Sequence, residues 1–209
     1  MKYLNYRLSA AMWSRVLLLW LILAVGALVI GVFALWMGQF VHDNVSDELA
    51  SQQISFSPLE SMSEEELAIP GMEENAGLPL TTGNQAQVYS ELILLHSQGS
   101  AERAGYPGGV YATLGGEQRA LRAAVAAASE DGDEEALAEA QAELDTVTGL
   151  RNTMLTASNL RGALLAAYGW DNVATGVTYT GYAILGIAVV FLLLFVFELR
   201  RGHLPVTEA

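Results

Sequence analysis

Two long stretches without a charged side chain constrain this sequence more than any other feature. Residues 16–41 and residues 172–197 each cover 26 positions that contain no Asp, Glu, Lys, Arg or His. About 20 apolar residues in a helix are enough to cross a hydrocarbon core of roughly 30 Å. Leu, Ile, Val and Phe fill 16 of the first 26 positions, and their transfer favours insertion by roughly 5 to 9 kcal/mol. Both stretches are therefore predicted to be transmembrane helices.

A cleaved signal peptide is the alternative explanation of the first stretch, because Lys2, Arg7 and Arg15 precede it. The apolar core of a signal peptide has only about 7 to 15 residues and ends at an A-x-A-like cleavage site. Here the core is longer, and the residues that follow, 39–43, read QFVHD. We therefore expect the first span to be retained.

The distribution of basic residues predicts the orientation of the chain. Loops rich in Lys and Arg beside a span stay in the cytoplasm. Residues 42–171 carry 21 acidic and 5 basic side chains, a balance of −16, and of the five only Arg161 lies within about 15 residues of a span. Both termini are therefore expected in the cytoplasm of a cell-membrane protein. The basic residues near the two ends are Lys2, Arg7, Arg15, Arg200 and Arg201.

The predicted organisation is mainly α, with two transmembrane helices flanking an extracytoplasmic helical domain that includes a short extended segment. The acidic surface of that domain repels phosphate backbones, so nucleic acid is excluded as a partner. The chain has no cysteine, which excludes thiol catalysis and thiolate metal sites. The segments are a cytoplasmic N-terminus (1–15), transmembrane helix 1 (16–41), the outer domain (42–171), transmembrane helix 2 (172–197) and a cytoplasmic tail (198–209).

Periodicity and turn residues divide the outer domain. Alternation over residues 53–58 indicates an extended segment, and proline and glycine predict a loop over 58–83, with a short helical turn after Ser63. Helices are predicted over 84–97 and 117–129, separated by a glycine-rich loop over 99–116. Asp133 is predicted to cap a third helix. Because no proline occurs between Pro107 and Pro205, that helix could continue into the second span; the sequence leaves this open.

Small residues recur at three- and four-residue spacing along the first span. Ala27, Gly31, Ala34 and Gly38 form one line on a helix. Such a line allows another helix to approach closely in a membrane. We therefore predict a helix-packing face there, in contact with the second span.

No motif for catalysis, metal binding or a cofactor is evident. The acidic run at Asp131 fails as an EF-hand, since its sixth and twelfth positions are Ala136 and Ala142, where glycine and glutamate are required. The HExxH, GxSxG, P-loop and GxGxxG patterns do not occur. Three histidines, His42, His96 and His203, are too dispersed to form a ligand set. The expectation is a protein with no cofactor, no metal site and no catalytic residues.

Five residues are predicted to belong to the structural core of the outer domain. His96, beside Tyr89 and Ile93 on one helix, is expected to be packed and hydrogen-bonded rather than to act as a base. Arg161 is expected to contact lipid phosphates or, preferentially, a carboxylate among Asp43, Asp47 and Glu48. The five predicted core residues are Tyr89, Ile93, His96, Arg161 and Tyr168.

The motifs along the outer domain resemble those of a family of uncharacterised two-span membrane proteins from high-GC Gram-positive bacteria. The resemblance covers most of the chain, but an Ala-rich helix over 117–145 departs from the family's shorter pattern. It implies the two-span topology and no known activity. The matching residues are Ile54 and Phe56; Gln85, Ala86, Tyr89, Ile93 and His96; Tyr111; and Arg151, Met154, Ser158, Leu160, Arg161, Leu164 and Tyr168.

The function expected from these patterns is that of a non-enzymatic accessory or scaffold subunit of a cell-envelope membrane complex. Its partners would be the lipid bilayer and a membrane protein, or further copies of the chain. The alternative is an extracytoplasmic ligand-sensing domain, although the segment after Glu198 has only 11 residues for an output module. A third class, an extracytoplasmic enzyme that uses His96, is the least favoured.

Overall fold

The computed structural model describes residues 10–201, and these form six α-helices, one 3-10 turn and no strand. The mainly helical fold class is thereby confirmed. Residues 1–9 and 202–209 of the predicted cytoplasmic ends, including His203, lie outside the described residues. The helices are α1 (Ala10–Ser51), α2 (Glu64–Leu67), α3 (Met72–Asn75), α4 (Gly83–Arg103), α5 (Tyr111–Asp131) and α6 (Glu134–Arg201), and the 3-10 turn is Leu59–Ser61.

The chain divides into two compact units. The first, here called the helix pair, contains the described residues up to Asn44 and from Asp171 onward; the second, the inserted domain, is Val45–Trp170. Two helices, α1 and α6, are long and apolar enough to cross a membrane. They are therefore possible spans.

The helix pair is built around small side chains. Along α1 and along α6, the most buried positions recur every seven residues, the repeat that keeps two helices in register along a left-handed seam. Large apolar side chains point away from this seam; Ile22, Val29 and Phe33, for example, are all more than half exposed. The buried small residues are Ala24, Gly31 and Gly38 on α1, and Ala174, Gly181 and Ala188 on α6.

The inserted domain has a first hydrophobic cluster formed by the end of α1, the segment before α4, α4 itself and the middle of α6. Residues 54–57 are extended, and Ser55 pairs with Pro79 in an isolated antiparallel bridge. The backbone N–H of Phe56 donates to Leu78 and that of Leu80 donates to Ile54. The buried members of the cluster are Leu49, Phe56, Met72, Leu80, Ala86, Leu92 and Leu164.

A second hydrophobic cluster lies where the end of α4 meets α5 and the beginning of α6. Partly buried Ala104, Tyr106 and Leu121 cover its edge. The tight connection between α5 and α6 uses Gly132 in the left-handed region, with φ of 71°, a conformation that glycine adopts without steric cost. The buried members of the second cluster are Ala101, Leu114, Val147, Leu150 and Met154.

Helix boundaries differ from the sequence expectation between residues 99 and 116. The predicted loop is wrong at both ends, because α4 continues to Arg103 and α5 begins at Tyr111. The glycine at 115 is helical and leaves room for a neighbour, since a Cβ there would lie 3.3 Å from the Arg151 guanidinium. The helix that begins after Asp133 does continue into the second apolar stretch, because α6 is a single helix of 68 residues.

Candidate functional site

The inserted domain has an open cleft of about 440 Å³ between α4 and α6. It lies between the two hydrophobic clusters, where α4 passes from Leu92 to Ala101 and α6 passes from Met154 to Leu164. Small side chains at this point cannot fill the space between the helices. The lining residues are Ile93, His96, Ser97, Ser100, Asn152, Thr153, Thr156, Ala157 and Leu160.

A hydrogen bond between a histidine and a carboxylate lies beside the cleft. The Nε2 atom of His96 lies 2.6 Å from Oε1 of Glu66. Glu66 is held in place by a capping box at the start of α2, in which its other carboxylate oxygen accepts from the backbone N–H of Ser63 at 2.8 Å. The Ser63 hydrogen bond, followed by the hydrogen bond from His96, lowers the pKa of Glu66 below its ordinary value of 4.5. Glu66 is therefore a carboxylate at neutral pH.

The hydroxyl groups that line the cleft are all hydrogen-bonded to their own helices. On α4, Ser97 donates to the carbonyl of Leu94, and Ser100 donates to that of His96. On α6, Thr153 and Thr156 donate to the carbonyls four residues earlier. Each hydroxyl has one proton, so these groups can offer only lone pairs to a bound molecule. No hydroxyl among them is hydrogen-bonded to His96 as a nucleophile would be to its base.

The prediction that His96 belongs to the core is wrong. Its side chain is 57% exposed, although it is hydrogen-bonded as expected. His96 lies seven residues after Tyr89, on nearly the same face of α4, but it comes after Ile93, the last α4 residue that packs on the first hydrophobic cluster, and it bonds Glu66 of α2 instead. The Tyr89 ring packs edge-on against Phe56, with centroids 5.3 Å apart.

Arg161 also has a partner other than the expected one. Its Nη2 donates to Glu91 at 3.1 Å and its Nε donates to the carbonyl of buried Ser90 at 3.2 Å. The preference for a carboxylate within residues 43–48 is therefore wrong, because α4 lies along this part of α6. Tyr168, the remaining predicted core residue, is half-buried on α6.

A polar network that the sequence analysis missed ties α5 to α6. Gln118 is buried; its amide nitrogen donates to Thr148 at 2.7 Å, and its amide oxygen accepts from Arg151 at 2.8 Å. The Arg151 guanidinium lies over the Tyr111 ring, 4.1 Å from the centroid. These partners are 30 to 40 residues apart, so no local pattern reveals them.

A second tyrosine joins α6 to the end of α4. The hydroxyl of Tyr106 donates to Glu143 at 3.0 Å. Burial, followed by this hydrogen bond to a carboxylate, raises the pKa of Tyr106 above its ordinary value of 10.0. The phenol therefore stays protonated and continues to donate throughout the neutral range.

The helix pair contains its own polar contacts near the two ends of the seam. His42 on α1 lies 2.6 Å from Asp171 on α6, and Thr175 lies 3.5 Å from the other ring nitrogen of His42. At the opposite end, the indole N–H of Trp13 donates to the carbonyl of Glu198 at 3.2 Å. These bonds link α1 to α6 at both ends of the apolar stretch.

The predicted packing face lies at the seam, where Gly31 and Gly38 are buried and Ala27 and Ala34 are half-buried. A Cβ on Gly31 would lie 2.7 Å from the Leu185 side chain, and one on Gly38 would overlap the Thr178 hydroxyl. The matching line of small residues on α6 was missed, although seven-residue spacing from Ala174 to Ala188 could have shown it.

Among residues 10–201, no group of three or more His, Asp or Glu side chains could hold a metal ion. Comparison with family models, with curated proteins and with solved structures found no match to this chain.

Proposed function

We propose that this protein is a two-span membrane anchor that has both ends in the cytoplasm and carries residues 42–171 outside as a binding module for another protein. The helix pair supports the anchoring role because its large apolar side chains face outward, the reverse of their position in a water-soluble protein. Small residues are buried at the seam, while large apolar residues such as Leu18, Val25 and Phe33 are more than half exposed. That arrangement is unfavourable in water and favourable in lipid.

Aromatic residues at the two ends of the helix pair support the same proposal. Trp36 and Tyr179 are exposed toward one end, and Trp13 and Trp20 lie toward the other. Amphipathic rings are enriched where a span meets the headgroup region on each side. The outward position of residues 42–171 rests on the Lys and Arg distribution described above.

The observation that carries the binding role is that the segment before α4 exposes three leucines in an acidic part of the chain. Leu59, Leu67 and Leu78 are 45%, 39% and 45% exposed. Residues 42–102 contain 11 acidic side chains and no Lys or Arg. Exposed apolar residues surrounded by one sign of charge are typical of protein interaction sites, and the acidic charge favours a basic partner.

Affinity capture of the full chain in mild detergent tests this role. A triple variant, Leu59→Ser, Leu67→Ser and Leu78→Ser, is compared with a matched control, Leu155→Ser and Leu165→Ser, whose leucines are 40% and 38% exposed. We expect the wild type and the control to recover one partner in a constant ratio, and the triple variant to lose it. Recovery of the monomer alone, or equal loss in both variants, contradicts the proposal.

The non-enzymatic character of the protein is part of the same proposal. It is supported by the cleft hydroxyls, each of which is hydrogen-bonded to its own helix, and by the exposed position of His96. The resemblance to two-span proteins of high-GC Gram-positive bacteria stays a prediction. A second candidate function, ligand sensing, is favoured by the cleft between α4 and α6.

A further inference from the structure

Tyr182 carries a polar group close to the middle of the second apolar stretch. The charge-free residues 172–197 have their midpoint two to three residues after Tyr182, which is about 4 Å along a helix axis at roughly 1.5 Å per residue. Packing against α1 agrees with this depth, because a Cβ on Gly181 would lie 3.1 Å from the carbonyl of Gly31, near the middle of the first stretch. In the proposed anchor, Tyr182 is therefore surrounded by hydrocarbon.

The Tyr182 hydroxyl has no hydrogen-bond partner within residues 10–201, and its side chain is 61% exposed on α6. Water would satisfy such a group on a soluble protein, but a hydroxyl in the bilayer core must find a protein partner or remain unpaired at a cost. Tyr179 differs, because it lies three residues nearer the outer end, where a phenol can direct its hydroxyl to the headgroup region. Tyr182 therefore requires a partner from another helix.

A second copy of this chain can supply that partner. Copies inserted in one membrane have the same orientation, so equivalent residues lie at equal depth. A phenol both donates and accepts, and two Tyr182 hydroxyls can therefore satisfy each other. Gly186, one turn deeper, is exposed, and a Cβ there would meet nothing within 4 Å. An exposed glycine allows the backbone of another helix to approach closely.

Tyr182 and Gly186 belong to a continuous exposed face of α6. Its members recur at spacings of three and four residues, the repeat of paired helices. No charged group lies within residues 172–197, so two identical faces do not repel each other. We propose that this face binds the same face of a second copy, with the two Tyr182 hydroxyls hydrogen-bonded to each other. The face consists of Tyr179, Tyr182, Gly186, Val189 and Leu193.

The inference rests on the proposed membrane anchor, so retention of the chain in membranes washed with alkaline carbonate is measured first. The full chain with Leu193→Cys, a position 63% exposed, is then purified, reconstituted in phosphatidylcholine vesicles and oxidised with copper phenanthroline. We expect a disulfide-linked dimer. Leu19→Cys, 52% exposed on α1, is the matched control at a similar depth, since the adjacent Trp20 packs on Phe191. It should give severalfold less dimer.

Substitutions in the Leu193→Cys chain assign the contact, with cross-linking followed over a range of protein-to-lipid ratios. Tyr182→Phe removes only the hydroxyl, and half-maximal cross-linking should then require about three- to tenfold more protein per lipid. Tyr179→Phe is its control and should change this ratio by less than about twofold, because its hydroxyl reaches the headgroup region. Gly186→Leu places a side chain where the backbones approach, and should weaken cross-linking at least as much as Tyr182→Phe.

Extraction of the chain by carbonate would overturn the anchor and this inference together. Retention in the membrane without a Leu193 disulfide would overturn this inference alone, and so would equal yields from Leu193→Cys and Leu19→Cys, which indicate random collision. Equal weakening by Tyr182→Phe and Tyr179→Phe would show that the hydroxyl at mid-membrane depth does not join the copies. A photoreactive group at Leu193 that labels only a different protein in cell membranes would assign the face to that protein instead.

Discussion

The helix pair and the inserted domain are packed by opposite rules. In the helix pair the buried positions hold alanine and glycine, and the large side chains face outward. In the inserted domain large side chains such as Met72, Leu80 and Leu114 are fully buried together with small ones. The proposed lipid location of the helix pair accounts for the difference: in water apolar burial stabilises the interior, whereas between helices in lipid close contact of backbones replaces it.

The largest expected effect comes from removing volume inside the inserted domain. Leu114→Ala empties a site that is 1% exposed, and such truncations cost about 2 to 5 kcal/mol. Amide hydrogen exchange of the full chain in detergent should show faster exchange of α5 and of the start of α6. Leu28→Ala, on the exposed face of α1, should leave the exchange of both units unchanged. Equal effects would show that the two units do not follow different packing rules.

Adding volume at the seam, in contrast, should destabilise the helix pair. Gly38→Leu places a side chain against Thr178 and the Ala174 carbonyl, and overpacking costs about 1 to 3 kcal/mol. The readout uses a chain with no native cysteine: cysteines at Trp20 and Phe191, whose rings are 5.8 Å apart, are joined by a short bismaleimide in membranes. Cross-linking should fall severalfold.

Gly26→Leu is the control for that substitution, because a Cβ at Gly26 meets nothing within 4 Å. Cross-linking in this variant should match that of the wild type. Undiminished cross-linking in Gly38→Leu would contradict the packing at the seam.

A smaller effect is expected from the polar network between α5 and α6. Gln118→Ala leaves Thr148 and Arg151 without a buried partner, at a cost of about 1 to 3 kcal/mol. Gln141→Ala, which removes an exposed bond to Asp145 on α6, is the control and should change stability by less than about 0.5 kcal/mol. Denaturant unfolding followed by circular dichroism measures the loss of stability in both variants. An equal loss would show that the Gln118 network does not stabilise the inserted domain.

The smallest effect is a pH dependence confined to the inserted domain. The pKa of Glu66 is lowered in the folded state, so its contribution is fully present above about pH 4.5 and is lost as the pH falls through the folded pKa. Wild type and Glu66→Gln should therefore differ in unfolding midpoint at pH 7 and converge as the pH falls through the lowered pKa of Glu66. A difference that persists at low pH would show that the carboxylate charge is not the cause.

Local features of the structure were predictable from the sequence, whereas contacts between distant residues were not. The start of α4, the cap at Asp133 and the helical turn after Ser63 follow from neighbouring residues, and the proline-free run after Pro107 left a continuous α6 open. The partners of His96 and Arg161 are 30 and 70 residues away. Their identity depends on how α2 and α4 pack, which no spacing encodes.

The cleft was equally hidden from the sequence. Its serine and threonine residues resemble ordinary polar positions on amphipathic helices. Only the interruption between two hydrophobic clusters turns them into the walls of a concave surface. The exposure of His96 is hidden in the same way, since it depends on where along α4 the first hydrophobic cluster ends.

The central claim is that residues 16–41 of α1 and residues 172–197 of α6 lie in a bilayer and that residues 42–171 are exported between them. Because the chain has no cysteine, single substitutions test it directly with a membrane-impermeant maleimide on intact cells. Ser61→Cys and Ser129→Cys should be labelled on intact cells, and Thr207→Cys only after lysis. Protection of both domain positions on intact cells, or labelling of Thr207→Cys without lysis, would contradict the account.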